Sequence, residues 1–447
     1  MTARAHWTNR LAFILAASGS AVGLGNIWKF PYITGTNGGG AFVLIYLVCI
    51  ALVGIPIFIA ELYIGQSSQK SVVESFEVLD RKNSPWKSIG WLGLAAAFLI
   101  LSFYSVVGGW VLDFEYRSLI GEFTRETDDQ ISSTLGNLFG NPGRQLLWHF
   151  IFMAMTVSIV LRGVKEGLEK WNKILMPGLI LMLVGLLVYS VQLDGFMQSL
   201  KYLFSFNTDA LTPAGVLEAV GHSFFTLSLG MGAIITYGSY LQKREAIART
   251  AIVVGLVDTA VALAAGVVIF AVVFTFGMEP GAGPSLMFKT LPMLFVKLPV
   301  GQIVAIIFFL LVSFAALTSS VSLLEVVVAY WEEKKKISRK VVTIVTGVII
   351  YALGMLSALS TNVLSDFKIM GLTFFDLFDK ATSQYFLPIG GLFIAMFFGW
   401  KLGPEAAKHA LGGNRPGFSA GLMWSARLVA PIAVGIIIIY KIYMDFQ

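Results

Sequence analysis

The chain has 447 residues, 56% of them hydrophobic and 13% charged. Soluble domains carry about a quarter charged residues, so most of this chain faces something other than water. One cysteine and four scattered histidines leave no disulfide framework and no thiolate or imidazole metal cluster. The net charge of +6 fits basic cytoplasmic loops of a membrane protein better than nucleic-acid binding.

A helix that crosses the roughly 30 Å hydrocarbon core needs about 20 apolar residues. About eleven such runs are predicted, at 10–34, 41–66, 88–119, 145–162, 168–191, 214–240, 246–276, 299–331, 340–358, 375–399 and 419–441. The chain is therefore expected to be an all-α membrane protein. The first run follows Arg4 and Arg10 but contains Asn26, Lys29 and Pro31, which do not suit the short h-region of a signal peptide. Lys and Arg gather in alternate gaps, such as Lys70, Arg81, Lys82 and Lys87 after the second run and Lys334, Lys335, Lys336 and Arg339 after the eighth. The positive-inside rule places the N-terminus in the cytoplasm and, with an odd count, the C-terminus outside.

Two runs are interrupted at mid-depth, by GSAVGLGN at 19–26 and by TLSLGMGA at 226–233. Each holds a Gly-x-Gly, and glycine inside a helix costs about 1 kcal/mol against alanine. One such pair serves close helix packing. Two pairs, five runs apart, point to a transporter with inverted repeats and a site at the midplane. At the first break the amides of Leu24 and Gly25 open a half-helix and suit a carboxylate. Carbonyls from Gly19 to Val22 close the preceding half and suit a small cation. The same logic holds near Thr226 and Ser228. Tyr104 places a hydroxyl mid-way along the third run, where an interfacial anchor would not sit.

In FAALTSSVSLL at 314–324, Ala315, Thr318, Ser319 and Ser322 share one helix face. Such hydroxyls serve either as interhelical hydrogen bonds or as oxygen ligands for a hard cation. Asp258 lies inside AIVVGLVDTAVALAAGVVIF; an acid at that depth needs a cation or a proton. Glu61, in the second run, reads as an acceptor for a broken helix.

The motifs GSAVGLGNIWKFPY at 19–32, NGGGAF at 37–42, FFTLSLGMGAIITYGSY at 224–240 and LTSSVSLLE at 317–325 resemble the neurotransmitter:sodium symporter family. The likeness runs from Arg4 to about residue 441. It implies a LeuT-like 5+5 inverted repeat with broken helices 1 and 6, the repeats being 10–191 and 214–399 with an additional helix at 419–441. It implies sodium-coupled symport of neutral, hydrophobic L-amino acids, aliphatic and aromatic, by alternating access, and no enzyme. The setting would be the inner membrane of a bacterium. One sodium would meet Ala21, Asn26, Thr226, Asp258 and the substrate carboxylate. A second would meet the carbonyls of Gly19, Val22 and Ala315 and the hydroxyls of Thr318 and Ser319. The substrate carboxylate would meet Leu24, Gly25 and Tyr104, and the ammonium the carbonyls near Ala21, Phe225, Thr226 and Ser228; Ser20 also belongs to the substrate site. Ile100, Tyr104, Phe225, Met231, Ser319 and Leu323 would line the side-chain pocket. Lys29 and Asp379 resemble an outer gate; Arg4, Trp7, Tyr240 and Glu333 resemble an inner one. Gly167 and Pro177 match the Gly-x9-Pro spacing of helix 5, where proline weakens the cytoplasmic half, although an ordinary membrane proline fits as well.

The departures carry information. Lys29 stands where arginine is common, so a bidentate gate pair is not available to it. The family pattern has a twelfth span. Monoamine carriers have an aspartate where this chain has Gly23, so here the substrate must bring its own carboxylate. Asp258 stands where asparagine is common, and Ala262, one turn on, offers no hydroxyl to an anion; both imply independence from chloride. A sodium-conducting channel and a non-transporting amino-acid sensor of the same fold stay open as alternatives. Paired broken helices around an occluded pocket favour a transporter over a pore.

Overall fold

The computed structural model describes residues 5–205, 211–243, 245, 247–278, 286–413 and 415–445. Arg4, expected at the inner gate, lies outside the described residues. Among them the secondary structure is helical apart from a single bridge between Ile369 and Leu372.

In chain order the helices are α1 (Arg10–Ala21), α2 (Gly25–Thr36), α3 (Gly40–Ser68), α4 (Val72–Leu79), α5 (Lys87–Leu119), α6 (Asp128–Phe139), α7 (Pro142–Val160), α8 (Val164–Ser190) and α9 (Phe196–Phe204). They continue with α10 (Pro213–Thr226), α11 (Ala233–Gly238), α12 (Ile247–Thr275), α13 (Leu286–Phe295), α14 (Gly301–Lys335), α15 (Arg339–Leu359), α16 (Phe374–Ala410) and α17 (Pro416–Met444). Nine of these are long and apolar enough to cross a membrane, and α1 with α2, bent by 50°, makes a tenth. The expected sixth span is divided between α10 and α11, with residues 227–232 outside both helices. The expected tenth span is longer than read: α16 continues past residue 399 to Ala410, through a kink at Gly403 with φ of 72°.

Burial separates scaffold from rim. In their most apolar stretches, 78% of α5 and 72% of α14 are buried, against 39% of α7 and 33% of α8. The first pair stands at the centre; the second presents Leu147, Phe150, Leu181 and Val188 outward, the surface a bilayer requires. At one end of α5 the buried Asp113 receives Arg117 at 2.8 Å and Arg144 at 2.5 Å, tying α5 to the start of α7.

Candidate functional site

The two breaks use glycine for different reasons. In the first, Val22 leaves helical geometry with ψ of 100°, and neither Gly23 nor Gly25 takes a positive φ. Space is the constraint: a Cβ on Gly23 would lie 2.6 Å from Ser319 Oγ, and one on Gly25 would lie 3.1 Å from the Phe225 ring. In the second break, Gly230 and Gly232 take φ of 79° and 75°, and Ser228 takes 55°. Left-handed backbone is routine for glycine, while for serine it costs of order 1–3 kcal/mol and needs support. Ser228 Oγ donates to Ser20 O at 2.7 Å, and Gly230 N donates to Glu61 Oε1 at 2.7 Å. Glu61 is thus the acceptor for the broken helix that its depth implies.

The breaks face each other across α5 and α14 and enclose a small cavity of about 30 Å³. Its walls are Ser20, Ala21, Gly23, Leu24, Gly25, Ile100, Tyr104, Phe225, Thr226, Ser228, Met231, Ser319 and Leu323. The structure therefore brings together all of the expected substrate residues and adds Gly23. No ionisable side chain other than the Tyr104 phenol lines it. The Leu24 amide lies 3.4 Å from Tyr104 Oη, so the N-terminal end of α2 and the phenol converge on one point. A larger cavity of about 510 Å³ shares Leu24, Gly25, Tyr104 and Phe225 with the small one and continues past Trp28, Lys29, Phe288 and Asp379.

Asp258 is fully buried beside the first break. Asn26 Nδ2 donates to its Oδ1 at 2.7 Å and to its carbonyl at 3.1 Å. Thr226 Oγ1 lies 3.0 Å from Oδ1 and 3.1 Å from Oδ2, and Tyr46 donates to Oδ2 at 3.4 Å. Asn26, Thr226 and Asp258 thus meet, although the Asn26 amide turns its oxygen to Gly23 N at 3.0 Å. That oxygen keeps a second lone pair for a cation.

Part of the second expected cluster, Gly19 with Thr318 and Ser319, also comes together. Ser319 Oγ donates to Gly19 O at 3.4 Å and to Ser20 O at 3.3 Å. Thr318 Oγ1 donates to Ala315 O at 3.0 Å and Phe314 O at 3.1 Å. Ser20 Oγ donates to Ser322 Oγ at 2.8 Å. The hydroxyl face of α14 is therefore apposed to the last turn of α1, whose end brings Val22 into the same break.

At the expected gates the contacts differ in detail from the sequence reading. Lys29 Nζ sits 4.8 Å from the centre of the Phe225 ring, a cation–π contact. No ion pair of 4.0 Å or less joins it to Asp379, which accepts from Ser383 at 2.8 Å. Trp7 Nε1 donates to Tyr237 O at 3.0 Å, and Trp7 N to Tyr240 O at 3.1 Å. Tyr240 Oη donates at 2.6 Å to Glu325, which also binds Arg339. Glu333, also expected at the inner gate, pairs with Lys70 at 2.8 Å and accepts from Ser71 N at 2.8 Å. Gly167 sits in a π-helical opening turn of α8, where a Cβ would lie 2.1 Å from Ile159 O. Pro177 is inside α8, which is continuous across it. Glu169 of the same turn accepts from Thr8 N at 2.9 Å and holds Lys173 at 2.6 Å.

The Sodium:neurotransmitter symporter family profile matches residues 4–134 and 129–446. The chain belongs to the sodium:neurotransmitter symporter family. Its structure superposes on that of MhsT in complex with L-phenylalanine with a TM-score of 0.91 and 46% sequence identity, covering 98% of this chain and 99% of that one. An uncharacterized sodium-dependent transporter of Bacillus subtilis, YhdH, is 38% identical over 96% of each chain. The mouse sodium-dependent neutral amino acid transporter B(0)AT3 is 31% identical over 60% of this chain and 48% of its own length. This symporter is a sodium-dependent, multi-pass membrane transporter of the LeuT fold.

The sequence reading passed over four residues that the symporter structure singles out. Glu325 and Arg339 form the buried charge pair behind Tyr240; an acid inside an apolar run is the signal for the first of them. Tyr46 touches Asp258. Asn172, on α8, stands against Gly19.

Proposed function

We propose that this transporter couples sodium to the uptake of neutral, hydrophobic L-amino acids, aliphatic and aromatic, by alternating access. The observation that carries the reading is the lining of the small cavity: a helix N-terminus and a phenol, together with the apolar Ile100, Phe225, Met231 and Leu323. A carboxylate is satisfied by the amides of Leu24 and Gly25 and by Tyr104 Oη. An ammonium is satisfied by the carbonyls that the two breaks expose. The apolar lining has no partner for a charged side chain, whose burial alone costs several kcal/mol. Met231 is an unbranched, adaptable wall, and Phe225 lines both this cavity and the larger one, so a movement of its ring would admit a substrate. The complex of the similar MhsT with L-phenylalanine supports an amino acid at this position.

Two sodium ions complete the reading. The first joins Ala21, Asn26, Thr226, Asp258 and the substrate carboxylate; the second joins Gly19, Val22, Ala315, Thr318 and Ser319. Oxygen-only donor sets of this kind suit a hard cation. Asp258 supplies a fixed negative charge where a neutral residue would leave sodium and substrate uncompensated, so chloride is not needed. Residues 10–191 and 214–399 act as the two inverted repeats, and 419–441 as an additional helix. Lys29 and Asp379 close one side, Trp7 and Tyr240 the other, and Gly167 with Pro177 lets α8 open. In the cytoplasmic membrane of a bacterium the basic loops place the N-terminus inside and the end of α17 outside.

The test is uptake of tritiated L-phenylalanine into proteoliposomes under a sodium gradient. Uptake should need sodium, persist when gluconate replaces chloride, and yield to excess leucine, isoleucine and tryptophan but not to lysine or glutamate. Competition by lysine or glutamate would show that the apolar lining is misassigned. Loss of uptake in gluconate would remove Asp258 as the compensating charge.

A further inference from the structure

Asn172 is 2% exposed, on α8. Its Nδ2 donates to Leu168 O at 2.8 Å, and only the NH2 group can make that bond. The orientation of the amide is thereby set, and Oδ1 points the other way. There it is buried without a hydrogen-bond partner among the described residues, which native structures seldom leave unexplained. The place it points to is specific. The position that a Cβ on Gly19 would occupy is 2.3 Å from Asn172 Oδ1, 3.2 Å from Thr318 Cβ and 3.2 Å from Met176 Cγ. Glycine at 19 is what lets the amide oxygen reach the α1 backbone beside Thr318. A Cα–H contact from Gly19 offsets only a fraction of the desolvation of a carbonyl oxygen.

Resting on the assignment of a second sodium to Gly19, Val22, Ala315, Thr318 and Ser319, we infer that the Asn172 side-chain oxygen is a further binding group for that ion, contributed by α8. The oxygen stands beside Gly19 of α1 and Thr318 of α14, two residues of that assignment, so a monovalent cation there would satisfy the acceptor that the protein leaves open. The contact also joins sodium to α8 five residues before Pro177. Proline has no N–H, so the Lys173 carbonyl next to Asn172 lacks its helical donor and the turn yields easily.

The experiment compares the parent with Asn172→Ala, Asn172→Asp and the double variant Thr318→Ala/Ser319→Ala, each purified in detergent. Unfolding temperature is followed as sodium replaces choline at constant ionic strength, first without amino acid and then with L-phenylalanine. Asn172→Ala should raise the half-saturating sodium concentration about five-fold, the worth of one ordinary polar contact. Asn172→Asp also loses the donor to Leu168 but adds charge toward the ion, so it should lower that concentration. A purely structural asparagine predicts the same direction for both variants: a lower unfolding temperature at every sodium concentration and an unmoved midpoint. An unmoved midpoint in Asn172→Ala, or a rise in Asn172→Asp, overturns the inference. An unmoved midpoint in Thr318→Ala/Ser319→Ala is a separate result that overturns the second-site assignment itself, and this inference with it.

Discussion

Replacing Gly23 by alanine tests whether the first break and the hydroxyl face of α14 act as one site. The added Cβ would stand 2.6 Å from Ser319 Oγ, 3.2 Å from Tyr104 Oη and 3.4 Å from Ser319 Cβ. Real Cβ contacts are not made at the first of these distances, and the cheapest relief is rotation of the Ser319 hydroxyl. That rotation removes its bonds to Gly19 O at 3.4 Å and Ser20 O at 3.3 Å and withdraws an oxygen from the proposed second cation site. At about 1–2 kcal/mol for the lost contacts, half-saturating sodium should rise roughly five- to thirty-fold. The readout is the sodium dependence of L-phenylalanine binding in detergent. The mechanism makes a stronger demand on the double variant. Once Gly23→Ala has displaced the hydroxyl, removing it with Ser319→Ala should add little, so the two changes should fall short of additivity by about 1 kcal/mol. An unshifted midpoint in Gly23→Ala would refute the reasoning, and so would two large effects that add within about 0.3 kcal/mol.

Two further substitutions probe the packing of α8 on α7 and of α14 on α15. Gly167→Ala places a Cβ 2.1 Å from Ile159 O, a backbone clash that a rotamer change cannot relieve, so it should lower the unfolding temperature in detergent by several degrees and speed hydrogen exchange at the start of α8; an unchanged exchange pattern there would contradict the packing described. Glu325→Gln leaves the Arg339 guanidinium, whose side chain is 16% exposed, with a weaker acceptor; because one-sided loss of a buried pair costs about 3–5 kcal/mol and Arg339 keeps Glu332 at 3.0 Å, destabilisation of about 3 kcal/mol is expected in a urea or thermal titration, and a change below about 0.5 kcal/mol would mean that the pair is not structural.

Much of the site is legible in the sequence because it breaks the rules of an apolar helix. Glycine pairs, a buried aspartate and a face of hydroxyls are each costly in a membrane span, and cost draws the eye to Gly23, Gly230, Asp258 and Thr318. What the sequence hides is which physical constraint each residue answers. Gly23 and Gly230 look alike as letters, yet one yields space to Ser319 and the other adopts φ of 79°. The inner gate shows the same limit. Glu325, Glu332 and Glu333 lie on one helix, and only the packing of α11 against α14 brings Tyr240 to the first of them. Asn172 is invisible for another reason: an asparagine between Gly167 and Pro177 has no pattern of its own, and its meaning lies in an oxygen left without a donor. The apolar run that predicts the tenth span stops at residue 399, whereas the chain turns at Gly403 and resumes a helix to Ala410.

The hydrogen bonds around the breaks suggest how an ion is linked to helix movement. Ser228 of the second break and Ser319 of α14 both donate to one carbonyl, that of Ser20 in the first. Thr226 and Asn26, from different breaks, both donate to Asp258 on α12. At each cluster an acceptor is shared by donors from separate helices; Asp258 is itself a group the proposed cation meets, and the Ser20 carbonyl adjoins that of Gly19, which also accepts from Ser319. On the proposed assignment, an arriving sodium displaces or reorients hydroxyl and amide donors, exchanging bonds between pairs of helices for a centre that holds them together. Each exchange is worth about 1 kcal/mol, and two or three of them fall within the 1–3 kcal/mol typical of coupling between sites. That is sufficient to make substrate binding depend on sodium without any contact between the second ion and the substrate.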